Sequence, residues 1–138
     1  ICTGSNEPLR LSLTHNKNFH HPNVKITGFV DDIDVMFDSA NLIITKPGGV
    51  TCFEALTKGI PMLLYQPVPG HEEQNLNHLV NLELAAKLNH IQELDHWIQT
   101  LLEDNDVFTN WVAKIQKYQR NINPLAGAKS VVRLLNQL

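Results

Sequence analysis

The stretch Asn41-Leu42-Ile43-Ile44-Thr45-Lys46-Pro47-Gly48-Gly49-Val50-Thr51-Cys52-Phe53-Glu54 changes from a strand pattern to a helix pattern across one tight turn. Leu42–Thr45 is a short apolar run, suited to a buried strand of a parallel sheet. Lys46-Pro47 is stiff and extended, because the proline ring restricts its own φ and the residue before it. Gly48-Gly49 then opens a helix with no side chain in the way. The free N–H groups and the positive end of the helix dipole at such a start suit an anion, a diphosphate above all. Thr51 adds a hydroxyl in the same turn, and Glu54 lies one helical turn further on, about the distance from a nucleotide's phosphates to its ribose hydroxyls. The plainer alternative is a tight connection with a solvated Lys46 and an exposed Glu54. The turn lacks the GxxxxGK[ST] pattern of a P-loop, and the chain has no GxGxxG.

Outward from this turn, short apolar strands alternate with amphipathic helices, the order of an α/β fold: a Rossmann-like parallel sheet with helices on both faces. Strands are expected at Ile1–Thr3, Val24–Thr27, Leu42–Thr45, Met62–Tyr65 and, more briefly, Ala86–Leu88. A helix over Pro8–Asn16 has its proline in the first turn. Asp31 is placed to cap a second, whose apolar Ile33, Met36, Phe37 and Ala40 recur at i, i+3, i+4 and i+7. The helix opened by Gly48-Gly49 carries Val50, Phe53, Ala55 and Leu56. Gly59 stops it, and Pro61 prevents its continuation. A helix over Glu73–Leu84 buries Leu76, Leu79 and Val80. After Leu88 only helices follow. Asn89 with Gln92 reads as a cap pair ahead of Ile91, Leu94, Ile98 and Leu101. The next spans Asp106–Arg120, and a last runs from Pro124 through Ala128, Val131, Val132 and Leu135. Phe108, Trp97 and Trp111 sit at helical spacing and belong to a core or a seam between helices.

Composition narrows the functional classes. The 138 residues suit one domain over 1–138, 43% hydrophobic and 18% charged, with a net charge of −3. That balance argues against nucleic-acid binding, which draws on excess Lys and Arg. No apolar run approaches the ~20 residues that span a bilayer. Cys2 and Cys52 form no CxxC pair, so neither a disulfide framework nor a metal site is indicated. A reducing cytoplasm fits, with Cys52 as buried packing. None of the seven histidines falls into a ligand spacing, His20-His21 reads as a solvated pair, and Asp31-Asp32 reads as a helix cap rather than a metal motif. Ser5, Ser12, Ser39 and Ser130 lie in no nucleophile elbow. The opening Ile1-Cys2-Thr3-Gly4 reads as the end of a buried strand, as though the chain were a piece of a longer protein.

A second loop follows Met62–Tyr65: Gln66-Pro67-Val68-Pro69-Gly70-His71-Glu72-Glu73-Gln74-Asn75. Two prolines and a glycine stiffen it, and a polar cluster begins the next helix. Carboxylates and amides are suited to reading sugar hydroxyls; alternatively, Glu72 and Glu73 only complement the helix dipole and Gln74 and Asn75 are solvated.

Gly28-Phe29-Val30, the Thr45–Thr51 turn with Glu54-Ala55-Leu56, and the Pro67–Asn75 loop together resemble the carboxyl-terminal domain of GT-B glycosyltransferases. The resemblance is to diacylglycerol glucosyltransferases and monogalactosyldiacylglycerol synthases, which are related to the peptidoglycan lipid-intermediate N-acetylglucosaminyltransferase. It covers residues 1–88 well and the helical tail more loosely. The resemblance implies an inverting hexosyltransferase of two domains, of which this chain is the UDP-sugar half and is inactive alone. Gly28, Phe29 and Val30 then pack on and read the uracil, Gly48, Gly49, Val50 and Thr51 meet the diphosphate, and Glu54 binds the ribose. Glu73, Gln74 and Asn75 face the sugar together with His71, which stands where a Gln is often found and leaves open whether that sugar is galactose or glucose. The lipid acceptor and the catalytic base are expected in an amino-terminal domain outside this chain. No cofactor or metal is implied beyond the UDP-sugar substrate, and the full-length protein is expected in the cytoplasm, peripheral on the inner face of the cell membrane. A peptidoglycan-precursor GlcNAc transferase, a GT-B-type nucleotide-sugar epimerase and a non-catalytic nucleotide-binding module remain as alternatives.

Overall fold

The computed structural model describes residues 1–121; the helix expected from Pro124 onward lies outside them. The chain divides into two compact units, Ile1–Asp38 and Ser39–Leu138.

In the first unit, α1 spans Glu7–His15, and the Asn6 side chain accepts from the Leu9 N–H to cap its start. A short 3₁₀ turn covers Lys17–Phe19, and α2 spans Ile33–Asp38 with Phe37 buried. Two expectations are corrected here. Ile1–Thr3 and Val24–Thr27 form no strand ladder but meet in one parallel bridge between Cys2 and Thr27. Its backbone bonds run from Thr3 N to Thr27 O (2.9 Å) and from Thr27 N to Ile1 O (2.8 Å). Gly4, at φ 57°, turns the chain away directly after Thr3 and limits the pairing. The second helix begins at Ile33, so Asp32 rather than Asp31 immediately precedes it, and Ala40 falls beyond its end.

The second unit holds the sheet. Strands β1 (Ile43–Thr45), β2 (Met62–Tyr65) and β3 (Ala85–Leu88) lie side by side in that order, all parallel. Ile43 pairs with Met62, and Met62 with Ala85. Central β2 is fully covered at Met62, Leu63 and Leu64, as the middle strand of a parallel sheet with helices around it should be. Each such side chain contributes about 1.5–3 kcal/mol by leaving water.

The connecting helices are α3 (Gly49–Lys58) and α4 (His71–Asn81). On α3 the buried residues are Cys52, Ala55 and Leu56, at i, i+3 and i+4, whereas Val50 and Phe53 are exposed. Gly59 ends this helix at φ 76°, the left-handed cap that its position predicts. Helix α4 starts two residues before the expected Glu73, at a bend where Gly70 takes φ 102°. Leu76 and Leu79 are its buried residues.

Helices α5 (Glu93–Glu103) and α6 (Asn105–Asn121) follow. The Asn89/Gln92 cap pair does not form. Gln92 precedes the helix without a capping bond, and the Glu93 carboxylate accepts from the Asn89 N–H at 3.1 Å instead. No residue of α5 is fully buried. Trp97 on α5 and Trp111 on α6 meet with ring centroids 5.8 Å apart at 43°, a tilted aromatic contact that makes the expected seam. Among the described residues no helix is long and apolar enough to cross a membrane.

Candidate functional site

Because β1 and β2 are parallel neighbours, the turns that leave them emerge at the same, carboxyl-terminal edge of the sheet, where open α/β folds bind ligands. The first turn leads into α3 and the second into α4. Two helix N-termini therefore stand side by side, each with its positive dipole end at that edge.

The α3 turn is built by its backbone. Pro47 is fully buried, and the Gly48 N–H donates back to Lys46 O at 2.8 Å. Cys52 N makes the first bond of the helix, to Gly48 O at 3.0 Å. The N–H groups of Gly49, Val50 and Thr51 therefore precede the helical ladder and have no backbone acceptor among the described residues. The Gly48 N–H is thereby used within the turn. Lys46 is exposed, and Thr51 and Glu54 are half-buried.

The two glycines show no backbone strain of a tight turn. Gly48 has φ −67°, and neither glycine takes a positive φ. A Cβ on Gly48 would meet nothing within 4 Å, and one on Gly49 would make only an ordinary contact with Asn75 Nδ2 at 3.6 Å. Neither the backbone conformation nor the packing requires glycine here.

The second loop is tied down by side chains. Glu72 accepts from the Val68 N–H at 2.7 Å, which closes the Pro67–Gly70 turn on the start of α4. Asn75 donates its amide to Pro47 O at 3.0 Å, across 28 positions of sequence. The turn before α3 and the first turn of α4 are thus bonded to each other. His71, Glu73 and Gln74 are exposed and Asn75 is half-buried. Gln66 enters the loop with φ 49°, a left-handed backbone that is uncommon for a side-chain-bearing residue. Sequence reading missed the Glu72 lock and the Gln66 conformation. A carboxylate four residues after Val68 was the available signal for the first.

Cys52 lies behind the turn, buried. Burial pushes its thiol up to about 11, and the Glu72 carboxylate adds to the rise. Such a thiol is packing and not a nucleophile at neutral pH.

Gly28, Phe29 and Val30 belong to the first unit. Arg10 Cδ lies 3.3 Å from where a Gly28 Cβ would be, a tight approach that the Arg10 side chain would have to relieve. Cys2 Sγ donates to Gly28 O at 3.4 Å, and Phe29 is 73% exposed. A large aromatic left that open is available to stack on a planar ring. The His20-His21 pair is exposed, with His20 Nε2 at 2.8 Å from Thr14 O. Among the described residues no three His, Cys, Asp or Glu side chains are grouped to hold a metal.

The model of the glycosyltransferase family 28 C-terminal domain matches residues 1–131. The chain belongs to this family. Within it, the chain is similar to proteins named processive diacylglycerol beta-glucosyltransferase. It is 32% identical to that of Bacillus subtilis (strain 168), over all of this chain and 34% of the relative. With that of Bacillus pumilus (strain SAFR-032) it shares 31% identity over 91% of this chain and 31% of the relative. The chain thus spans about a third of the length of these relatives. A crystal structure described as the glycotransferase of kitacinnamycin shares the fold, with a TM-score of 0.59 and 19% identity over 81% of this chain and 30% of that one. Membership in the family 28 C-terminal domain agrees with the parallel α/β fold.

Proposed function

We propose that this chain is the donor-binding domain of a hexosyltransferase that moves a hexose from a UDP-sugar to diacylglycerol. The observation that carries it is the pair of glycines at the start of α3, which the fold does not require and which leave the Gly49, Val50 and Thr51 amides open. In this reading those amides hold the diphosphate, with Gly48 providing the space. Glu54 binds the ribose, and Gly28, Phe29 and Val30 hold the uracil. His71, Glu73 and Gln74 stand on the sugar side.

The chemistry follows from the charge. As the bond from the anomeric carbon to the diphosphate oxygen breaks, UDP gains negative charge. Preorganised N–H donors and a helix dipole stabilise that charge most where it is developing, in the transition state. The acceptor hydroxyl attacks from the opposite face, which inverts the anomeric configuration, and its proton goes to a base outside this chain. The relatives' name supports glucose over galactose as the donor hexose and diacylglycerol as the acceptor. In the same reading the protein works peripherally at the inner face of a membrane, with the acceptor held by a further domain.

The ribose assignment has its own test. Replacing Glu54 with Ala should weaken UDP by about tenfold, the order of one lost hydrogen bond to a charged group. It should leave inorganic pyrophosphate unaffected. Equal loss for both, measured by calorimetry, would contradict a ribose role.

A further inference from the structure

Asn75 stands among the residues expected to face the donor sugar, yet one N–H of its amide is already committed to the fold. Nδ2 donates to the Pro47 carbonyl at 3.0 Å, from a half-buried position. The same nitrogen lies 3.6 Å from where a Gly49 Cβ would be, so it sits directly against the first residue of α3. Pro47 is fully buried, and its carbonyl belongs to the peptide that joins it to Gly48. A bond to that carbonyl restrains the peptide's rotation and, through Gly48, the direction of the N–H groups that follow.

Resting on the donor-site reading above, we propose that Asn75 is a positioning residue. It braces the α3 turn from the first turn of α4 and so aims the Gly49, Val50 and Thr51 amides at the diphosphate. It touches the nucleotide side of the site through Pro47 and not the sugar through its own amide. The brace also ties the diphosphate turn to the sugar-side loop, because Glu72, on the same helix, holds Val68 N. A shift of α4 on binding the sugar is then transmitted to the turn that holds the phosphates.

The two roles for Asn75 give opposite binding signatures. A sugar reader, when removed, weakens UDP-glucose and leaves UDP alone. A brace, when removed, weakens both by the same factor. Asn75→Ala and the near-isosteric Asn75→Leu should each lower affinity for UDP and for UDP-glucose alike, about fivefold for one lost neutral hydrogen bond. In the ligand-free protein, the amide of Gly48, which donates to Lys46 O, should exchange with solvent about fivefold faster in both variants. Core amides of β2 should keep their wild-type rates, which separates loosening of the turn from general unfolding. The role is overturned if UDP affinity is retained while UDP-glucose weakens, or if Gly48 exchange is unchanged. Wild-type protein with no affinity for UDP would remove the donor-site reading and this role toward the diphosphate with it. Faster Gly48 exchange in the variants would even then establish the brace itself, so the two failures are distinguishable.

Discussion

At Gly49 the needs of the fold and of the proposed ligand separate. Its backbone is acceptable to any residue, and the space for a methyl group is free. Gly49→Ala should therefore keep or raise stability, by about 0.4–1 kcal/mol from a less disordered unfolded chain. It should also lower UDP affinity at least tenfold, because the methyl group enters the space in front of the amides. Denaturant unfolding and calorimetry on the same sample check both halves. Cys52 offers a second residue-scale prediction. Its thiol is raised in the folded state from 9.0 to about 11, so folding favours the protonated form. That contribution is fully present below pH 9 and is lost as the pH rises toward 11, which unfolding at fixed urea across this range would show. At pH 8 only the exposed Cys2 should react with a thiol reagent until the protein is denatured. Of these features, the glycine pair was legible in the sequence as a motif. That the fold itself did not need the glycines was not, since it rests on the empty space around them. The left-handed φ at Gln66 had no local signal, because it is imposed by the loop that follows.

Elements were legible where one local signal dominated. The Leu42–Thr45 strand, the glycine-opened helix and its Gly59 stop followed from apolar runs and from residues with few alternatives, and each formed within a residue or two of its expected position. Helix α5 did not, because Asn89 and Gln92 offered a cap that Glu93 pre-empted by reaching back to the Asn89 N–H. The bridge at Cys2 and Thr27 was over-read as a strand pair, since apolar composition says nothing about how many residues pair. Contacts between distant elements were outside any pattern reading. Gln119 on α6 is one: its amide donates to Leu56 O at 2.7 Å and to Thr57 O at 2.8 Å, capping the carboxyl end of α3. Gln119→Ala leaves both carbonyls without that partner. It should cost about 1–3 kcal/mol in urea unfolding, with UDP affinity changed less than twofold, because the cap lies at the end of α3 remote from its free amides.

For the whole molecule, the order of elements was enough to indicate a parallel α/β sheet. The family 28 match agrees with that reading. The proposed division of labour gives the chain the donor nucleotide and places the acceptor lipid and the base outside it; the chain spans about a third of the Bacillus subtilis relative. The central claim is that the edge carrying the α3 and α4 starts holds a uridine diphosphate. Calorimetric titration of the folded 138-residue chain with UDP, with CDP and inorganic phosphate as controls, tests it most directly. The account predicts saturable one-to-one binding of UDP that Gly49→Ala removes, with CDP and phosphate much weaker. A folded protein that shows no UDP binding, or that binds UDP undiminished after Gly49→Ala, would contradict it.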